Sequence, residues 1–312
     1  MESKKVNWLY LSIILVYIVT IILINIVYVA TQGLWDLGIA ANSILSELLI
    51  LGPALFFLVI CRQPWNEWLN FHKIKVSSFF MCLLYTFLLM PLTTLLNAIS
   101  MLFVENEVNA SSGEILGMPF WMMFFLIAVY APFCEEFVFR GIIYRGYKKT
   151  GPVFWSAILS AVLFGLMHMN FNQAPYAFAI GIMFALLVEA TGSLWSSVIA
   201  HMLFNGWSVC LMYLVEFLIP GYMSQSGSEA VSKVAMLTAI GPYMLIATAT
   251  TAIAICVLVW IAKNENRLEH LRSIWNRRKV RNGRLISVPL IIAIVLCLAF
   301  MIFEVVLNII FS

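Results

Sequence analysis

Seven ionisable residues of this chain stand inside long apolar stretches or near their ends: Glu47, Glu135, Glu136, Arg140, His168, His201 and Glu304. An ionisable group in hydrocarbon costs at least ~2.5 kcal/mol on insertion scales, so each one calls for a reason. Glu136 and Arg140 fall at i and i+4 with the acid nearer the N-terminus, the favoured order for an intrahelical ion pair, in a helix entered through Pro132. Glu135 is then a second carboxylate beside one already neutralised, poised to take up and release a proton. Phe164 and His168 share a helix face, and Gly165 between them lets a neighbouring helix approach closely. His201 and Asn205 stack an imidazole and a carboxamide on one side of a third helix. Singly, each of these reads as well as an ion pair or hydrogen bond tying helices together. Together, a carboxylate, two imidazoles and an amide on three separate apolar segments are parts for activating a water and holding an oxyanion. No other region of the chain offers a comparable set.

The elements that must position these groups are membrane helices. With 63% hydrophobic and 11% charged residues and a mean hydropathy of +0.98, the chain is excluded from the water-soluble classes. Measured against about 20 apolar residues per crossing, its 312 residues divide into an all-α, polytopic transmembrane helical bundle of about nine spans, with eight as the alternative count. They lie near 8 to 31, 37 to 60, 76 to 104, 118 to 145, 153 to 169, 174 to 191, 194 to 216, 236 to 262 and 285 to 311. The first span follows Lys4 and Lys5 as a signal peptide would, but its apolar run exceeds an h-region and reads as a retained anchor. Sixteen of the 18 basic residues fall at the N-terminus or in the segments 61 to 75, 145 to 152 and 263 to 284. The positive-inside rule therefore puts the N-terminus in the cytoplasm and the C-terminus outside. Trp65, Trp68 and Leu69 suit a short interfacial helix near 62 to 73. The basic run in 263 to 284 reads as an anchor to anionic lipid, and no nucleic-acid partner is expected.

Other hydrolytic designs lack their residues. Neither His168 nor His201 is followed by Glu, so the zinc signature H-E-x-x-H is absent. An aspartyl dyad is impossible with Asp36 as the only aspartate. Ser193, Ser196 and Ser197 lie near His201, but no G-x-S-x-G turn occurs. The six cysteines form no C-x-x-C pair and read as small buried hydrophobes.

Glu135-Glu136-x-x-x-Arg140, Phe164-x-x-x-His168 and His201-x-x-x-Asn205, in this order on successive spans, resemble the motifs of the CPBP family, which includes CAAX prenyl endopeptidases and bacteriocin-processing or self-immunity (Abi) proteins. The resemblance covers about 118 to 216 and makes that stretch the catalytic core, between N-terminal helices 1 to 117 and C-terminal helices 217 to 312. It implies an intramembrane endopeptidase in which Glu135 acts with His168 to deprotonate water, His201 and Asn205 stabilise the oxyanion, and Glu136, Arg140 and Phe164 give structural support. Members are commonly labelled metalloproteases, so Glu135, His168 and His201 could form a site for a divalent metal such as zinc, although a metal-free mechanism would use the same residues. The implied partners are membrane lipid and a peptide or protein substrate, in a bacterial plasma membrane: a leader peptide, pheromone or bacteriocin precursor, or a prenylated protein.

Two alternatives use the same residues without hydrolysis: an immunity or regulatory protein whose cavity binds a peptide or helix, and a transporter with a Glu/His proton relay. The transporter is weakened by the lack of an inverted repeat. Glu47 and Glu304 are expected to make interhelical hydrogen bonds. One tension remains in the sequence. Counted from the cytoplasmic ends at 1.5 Å per residue, Glu135 lies ~15 Å along its helix, His168 ~24 Å and His201 ~10 Å, a disagreement of about two turns.

Overall fold

The computed structural model describes residues 2–62, 68–106, 111–222, 233–280 and 283–311. Among these the chain is helical without strands, as the apolar runs require. The helices are α1 (Glu2–Ala30), α2 (Ile39–Ile60), α3 (Val76–Ser100), α4 (Phe120–Lys148), α5 (Val153–Met167), α6 (Ala174–Thr191), α7 (Leu194–Leu218), α8 (Lys233–Asn264), α9 (Leu268–Asn276) and α10 (Val288–Phe311). Eight are long and apolar enough to cross a bilayer. The ninth expected span, α5, has 15 residues and rises only ~22 Å, short of a hydrocarbon core of about 30 Å. It packs as a hairpin with α6, so the spans on either side keep their relative direction.

α4 and α6 form the centre: half or more of their apolar windows is buried inside the protein, against 11% for α1. α4 is not a uniform α-helix. Residues Phe124–Tyr130 and Phe137–Ile143 adopt the wider π geometry. Pro132 explains the first of these, since it has no N–H to continue the ladder and its ring crowds the preceding turn. In the π register its missing bond would have gone to the carbonyl of Ile127, one residue beyond the Ala131 N–H to Leu126 bond that the helix does make.

The segments expected inside all gather at one end of the bundle. Ser3 donates its N–H to Thr150 Oγ1 at 3.1 Å and its hydroxyl to Arg284 O at 2.8 Å. Tyr147 donates to Asn7 Oδ1 at 2.6 Å, and Lys75 N–H to Glu265 Oε1 at 3.0 Å. Of the interfacial segment, residues 63–67, including Trp65, lie outside the described residues. Trp68 and Leu69 are buried rather than facing headgroups, with Trp68 edge-on to Phe57 and beneath the Lys149 ammonium.

Candidate active site

The site assembles where α4, α5 and α7 meet beneath α6. Glu136 is fully buried, and its Oε1 lies 2.8 Å from Arg140 Nη1, one turn on. The Arg140 guanidinium, 1% exposed, is 4.2 Å from the centre of the Phe164 ring on α5, which gives its flat face a partner that water would otherwise supply. The same Glu136 Oε1 lies 3.0 Å from His201 Nδ1 on α7. The other ring nitrogen, Nε2, is 3.5 Å from Glu135 Oε2. His201 therefore stands between the two adjacent carboxylates, one nitrogen on each, packed against the Phe164 and Phe184 rings. Glu135 keeps 14% of its side chain accessible, whereas Glu136 keeps none. Of the pair, only Glu135 can meet a water.

His168 occupies the tip of the α5–α6 hairpin as the residue that ends α5. Its Nδ1 is 2.9 Å from the Phe164 carbonyl, which orients the ring, and the imidazole stands perpendicular to the Phe164 ring at 5.0 Å. Phe164 thus lies between the two histidines. The chain leaves α5 through Met169 at φ 52°, a left-handed position uncommon outside glycine, and Asn170 Oδ1 then accepts the N–H groups of Asn172 and Gln173 as α6 begins. Gly165 brings the hairpin together: a Cβ there would come within 2.7 Å of the Ala174 carbonyl.

Asn205, one turn beyond His201, donates its amide N–H to the carbonyl of Ile127 at 3.0 Å. This is the carbonyl that Pro132 leaves without a π-register donor, so a side chain from α7 completes a ladder broken in α4. The structure thus joins Glu135, Glu136, Arg140, His201 and Phe164 into one connected cluster, sets His168 across Phe164, and ties Asn205 to the backbone of α4.

Glu135, His168 and His201 do not fit a metal ion as a set. Among the described residues no three His, Cys, Asp or Glu side chains are arranged to hold one.

One buried acid escaped the sequence reading. Glu189, 1% exposed near the end of α6, receives the Tyr144 hydroxyl at 3.0 Å and the Lys148 ammonium from α4, and lies 2.5 Å from His270 Nε2 of α9. Its backbone carbonyl accepts Arg267 Nε at 2.8 Å. The signal was present, a lone acid in the apolar run 174 to 191, but its partners lie 41 and 81 residues away.

Residues 117–207 match the family described as type II CAAX prenyl endopeptidase Rce1-like. The chain is 31% identical over 109 residues to "Putative membrane peptidase YdiL" of Bacillus subtilis (strain 168), covering 35% of this chain and 43% of that protein. It is 30% identical over 97 residues to "Membrane-embedded CAAX protease MroQ" of Staphylococcus aureus (strain USA300), covering 29% and 39%. The alignments thus span about two fifths of these relatives' length. No solved structure matches the chain. The resemblance carried by the three motifs is borne out: residues 117–207 are a CPBP-family, Rce1-like segment of an integral, multi-pass membrane protein.

Proposed function

We propose that the protein is an intramembrane endopeptidase that hydrolyses a peptide bond with Glu135 as general base. The observation that carries this reading is His201 held between Glu135 and Glu136, with Glu136 in turn fixed by Arg140. Glu136 orients Nδ1, which leaves Nε2 turned toward the one carboxylate that can meet water. Glu135 takes a proton as water oxygen attacks the carbonyl carbon. The tetrahedral oxyanion is stabilised by His201, with Asn205 and His168 as further polar groups at its edge. The C–N bond then breaks, and the proton held on Glu135 passes to the leaving amine.

The substrate we infer is a membrane-anchored peptide or protein, in keeping with the CAAX protease names of the family and of the staphylococcal relative. The setting is a bacterial plasma membrane with the N-terminus cytoplasmic. The basic loop 263 to 284 would then face anionic lipid. No observation favours the non-catalytic immunity reading.

The experiment compares membranes carrying wild-type protein with those carrying Glu135→Gln, reading new peptide N-termini by mass spectrometry and hydrolysis of a farnesylated fluorogenic CAAX peptide. Loss of at least about a hundredfold at equal abundance is expected, the scale of a general base. Unchanged cleavage in Glu135→Gln would leave a scaffold role instead.

A further inference from the structure

Glu189 is surrounded by more cations than one carboxylate can serve. Its Oε1 accepts the Tyr144 hydroxyl and the Lys148 ammonium, and its Oε2 lies 2.5 Å from His270 Nε2, so both oxygens are taken inside the protein. Arg267 Nη2 is left 4.0 Å from Oε2, beyond hydrogen-bond reach. Only Arg267 Nε finds an acceptor among the described residues, the Glu189 carbonyl at 2.8 Å. Lys148 spends one of its three N–H donors on Glu189. Arg145 stands one turn before Lys148 on the same side of α4 and adds a further charge. The N-terminus of α9, capped by no side chain, contributes the positive end of its dipole.

Other acids nearby are engaged elsewhere: Glu269 with Arg272 at 2.9 Å, Glu265 with the Lys75 N–H at 3.0 Å, Glu2 with Lys5 at 3.4 Å. Like charges gathered where water is scarce repel, and an added anion relieves them. The way to that anion is open. Glu189 is sealed behind the group, whereas Lys148 and Arg267 keep 27% and 34% of their side chains accessible, and no Nη of Arg267 is buried without a partner.

The surroundings say which anion. Trp275 of α9 and Trp155 of α5 are 57% and 50% exposed, the Trp155 indole N–H donates to the Arg278 carbonyl at 3.1 Å, and the Arg278 guanidinium lies 3.7 Å from the centre of the Trp275 ring. Half-exposed indoles carrying cations are the mark of a headgroup layer, apolar on one side and wet on the other. Arg267 and His270 belong to the same short helix as Trp275, and Lys148 ends a spanning helix, so the group stands at the level of lipid phosphates. A phosphate also matches its donors, since a guanidinium offers paired N–H groups and an ammonium a point charge.

We propose that Lys148 and Arg267, with Arg145 and His270 beside them, form a discrete site for the phosphate of one anionic phospholipid, which clamps α9 to the end of α4. A zwitterionic lipid carries its own cation and leaves the excess charge unrelieved. The site goes beyond the diffuse attraction of the basic loop and does not depend on the endopeptidase reading.

The test titrates the purified full chain in detergent with short-chain phosphatidylglycerol, short-chain phosphatidylcholine and inorganic phosphate, counting adducts by native mass spectrometry. One retained phosphatidylglycerol is expected, with phosphatidylcholine held at least about tenfold more weakly. Arg267→Gln should weaken phosphatidylglycerol at least about tenfold, the scale of one charge-assisted hydrogen bond. Arg277→Gln with Lys279→Gln, on the exposed side past α9, should change it less than about twofold. Equal losses from that outer pair, or equal affinity for phosphatidylcholine, would mean a diffuse basic surface and overturn the site. Inorganic phosphate bound as tightly as phosphatidylglycerol would assign the group to a free anion and overturn the lipid. An Arg267→Gln protein that aggregates is replaced by Lys148→Gln, for which the same loss is expected and unchanged phosphatidylglycerol binding counts against the site.

Discussion

Asn205 carries two claims at once, a hydrogen bond to the Ile127 carbonyl and a place at the edge of the reacting centre. The first can be isolated, because the carbonyl is orphaned by Pro132 and by nothing else in its turn. Asn205→Leu should lower stability by about 1–3 kcal/mol, the cost of a buried acceptor left unpaired. Pro132→Ala restores an N–H to the ladder, so the double variant should recover most of that loss in a thermal melt in detergent. Additive losses would show that Asn205 does not serve this carbonyl. Residue spacing alone made the Glu136–Arg140 pair legible, since i and i+4 on one helix fix their approach, and it marked Gly165 as a point of close contact. It could not show that His201 would sit between the two carboxylates, because that depends on the rotation of α7 against α4, 65 residues apart in sequence.

At the scale of elements, the α5–α6 hairpin decides where His168 and Phe164 stand, and small residues decide the hairpin. A Cβ on Gly181 would come within 2.9 Å of the Ala161 Cβ, and its backbone is as near. Gly181→Leu should therefore push α6 from α5 and cost about 1–3 kcal/mol by overpacking. Hydrolysis should fall in parallel as Phe184 leaves His201; activity kept at a lowered melting temperature would mean that the hairpin does not position the site. Run length located every long helix but counted α5 as a span, although the helix ends at Met167, just before Met169 turns left-handed. The disagreement in depths has a physical source as well. Ser193 and Leu194 are fully buried, with Asn70, His72 and Arg267 bonded to the residues around the α6–α7 turn. Counting from loop ends takes each helix to start at the membrane surface, whereas the start of α7 is covered by protein.

For the whole molecule, Glu189 joins what the chain keeps far apart: the ends of α4 and α6 and the short helix α9. Its removal should release α9 from the bundle. Glu189→Ala is expected to cost roughly 3 kcal/mol, the low end for a broken buried pair because Lys148 and His270 remain partly hydrated. Trypsin added to inverted vesicles should then cut within 263 to 284 at least several times faster than in wild type. An unchanged cutting rate would show that α9 is held by its apolar edge at Leu271 and Ile274 instead. Charge asymmetry correctly grouped the N-terminus with the segments near 75, 150 and 265 to 285 at one end of the bundle, because like-signed anchors share a headgroup layer. The contacts that lock this end together, Asn7 with Tyr147 and Ser193 with the His72 carbonyl, use uncharged groups that no hydropathy reading singles out.

The central claim is that Glu135 and His201 work as one unit across the α4–α7 contact. A double-mutant cycle on peptide hydrolysis with Glu135→Gln, His201→Ala and both together tests it directly. Groups that act jointly are strongly non-additive, so the double variant should be no slower than the slower single variant, each down at least about a hundredfold. Losses that multiply in the double variant, or a His201→Ala protein within threefold of wild type, would contradict the account.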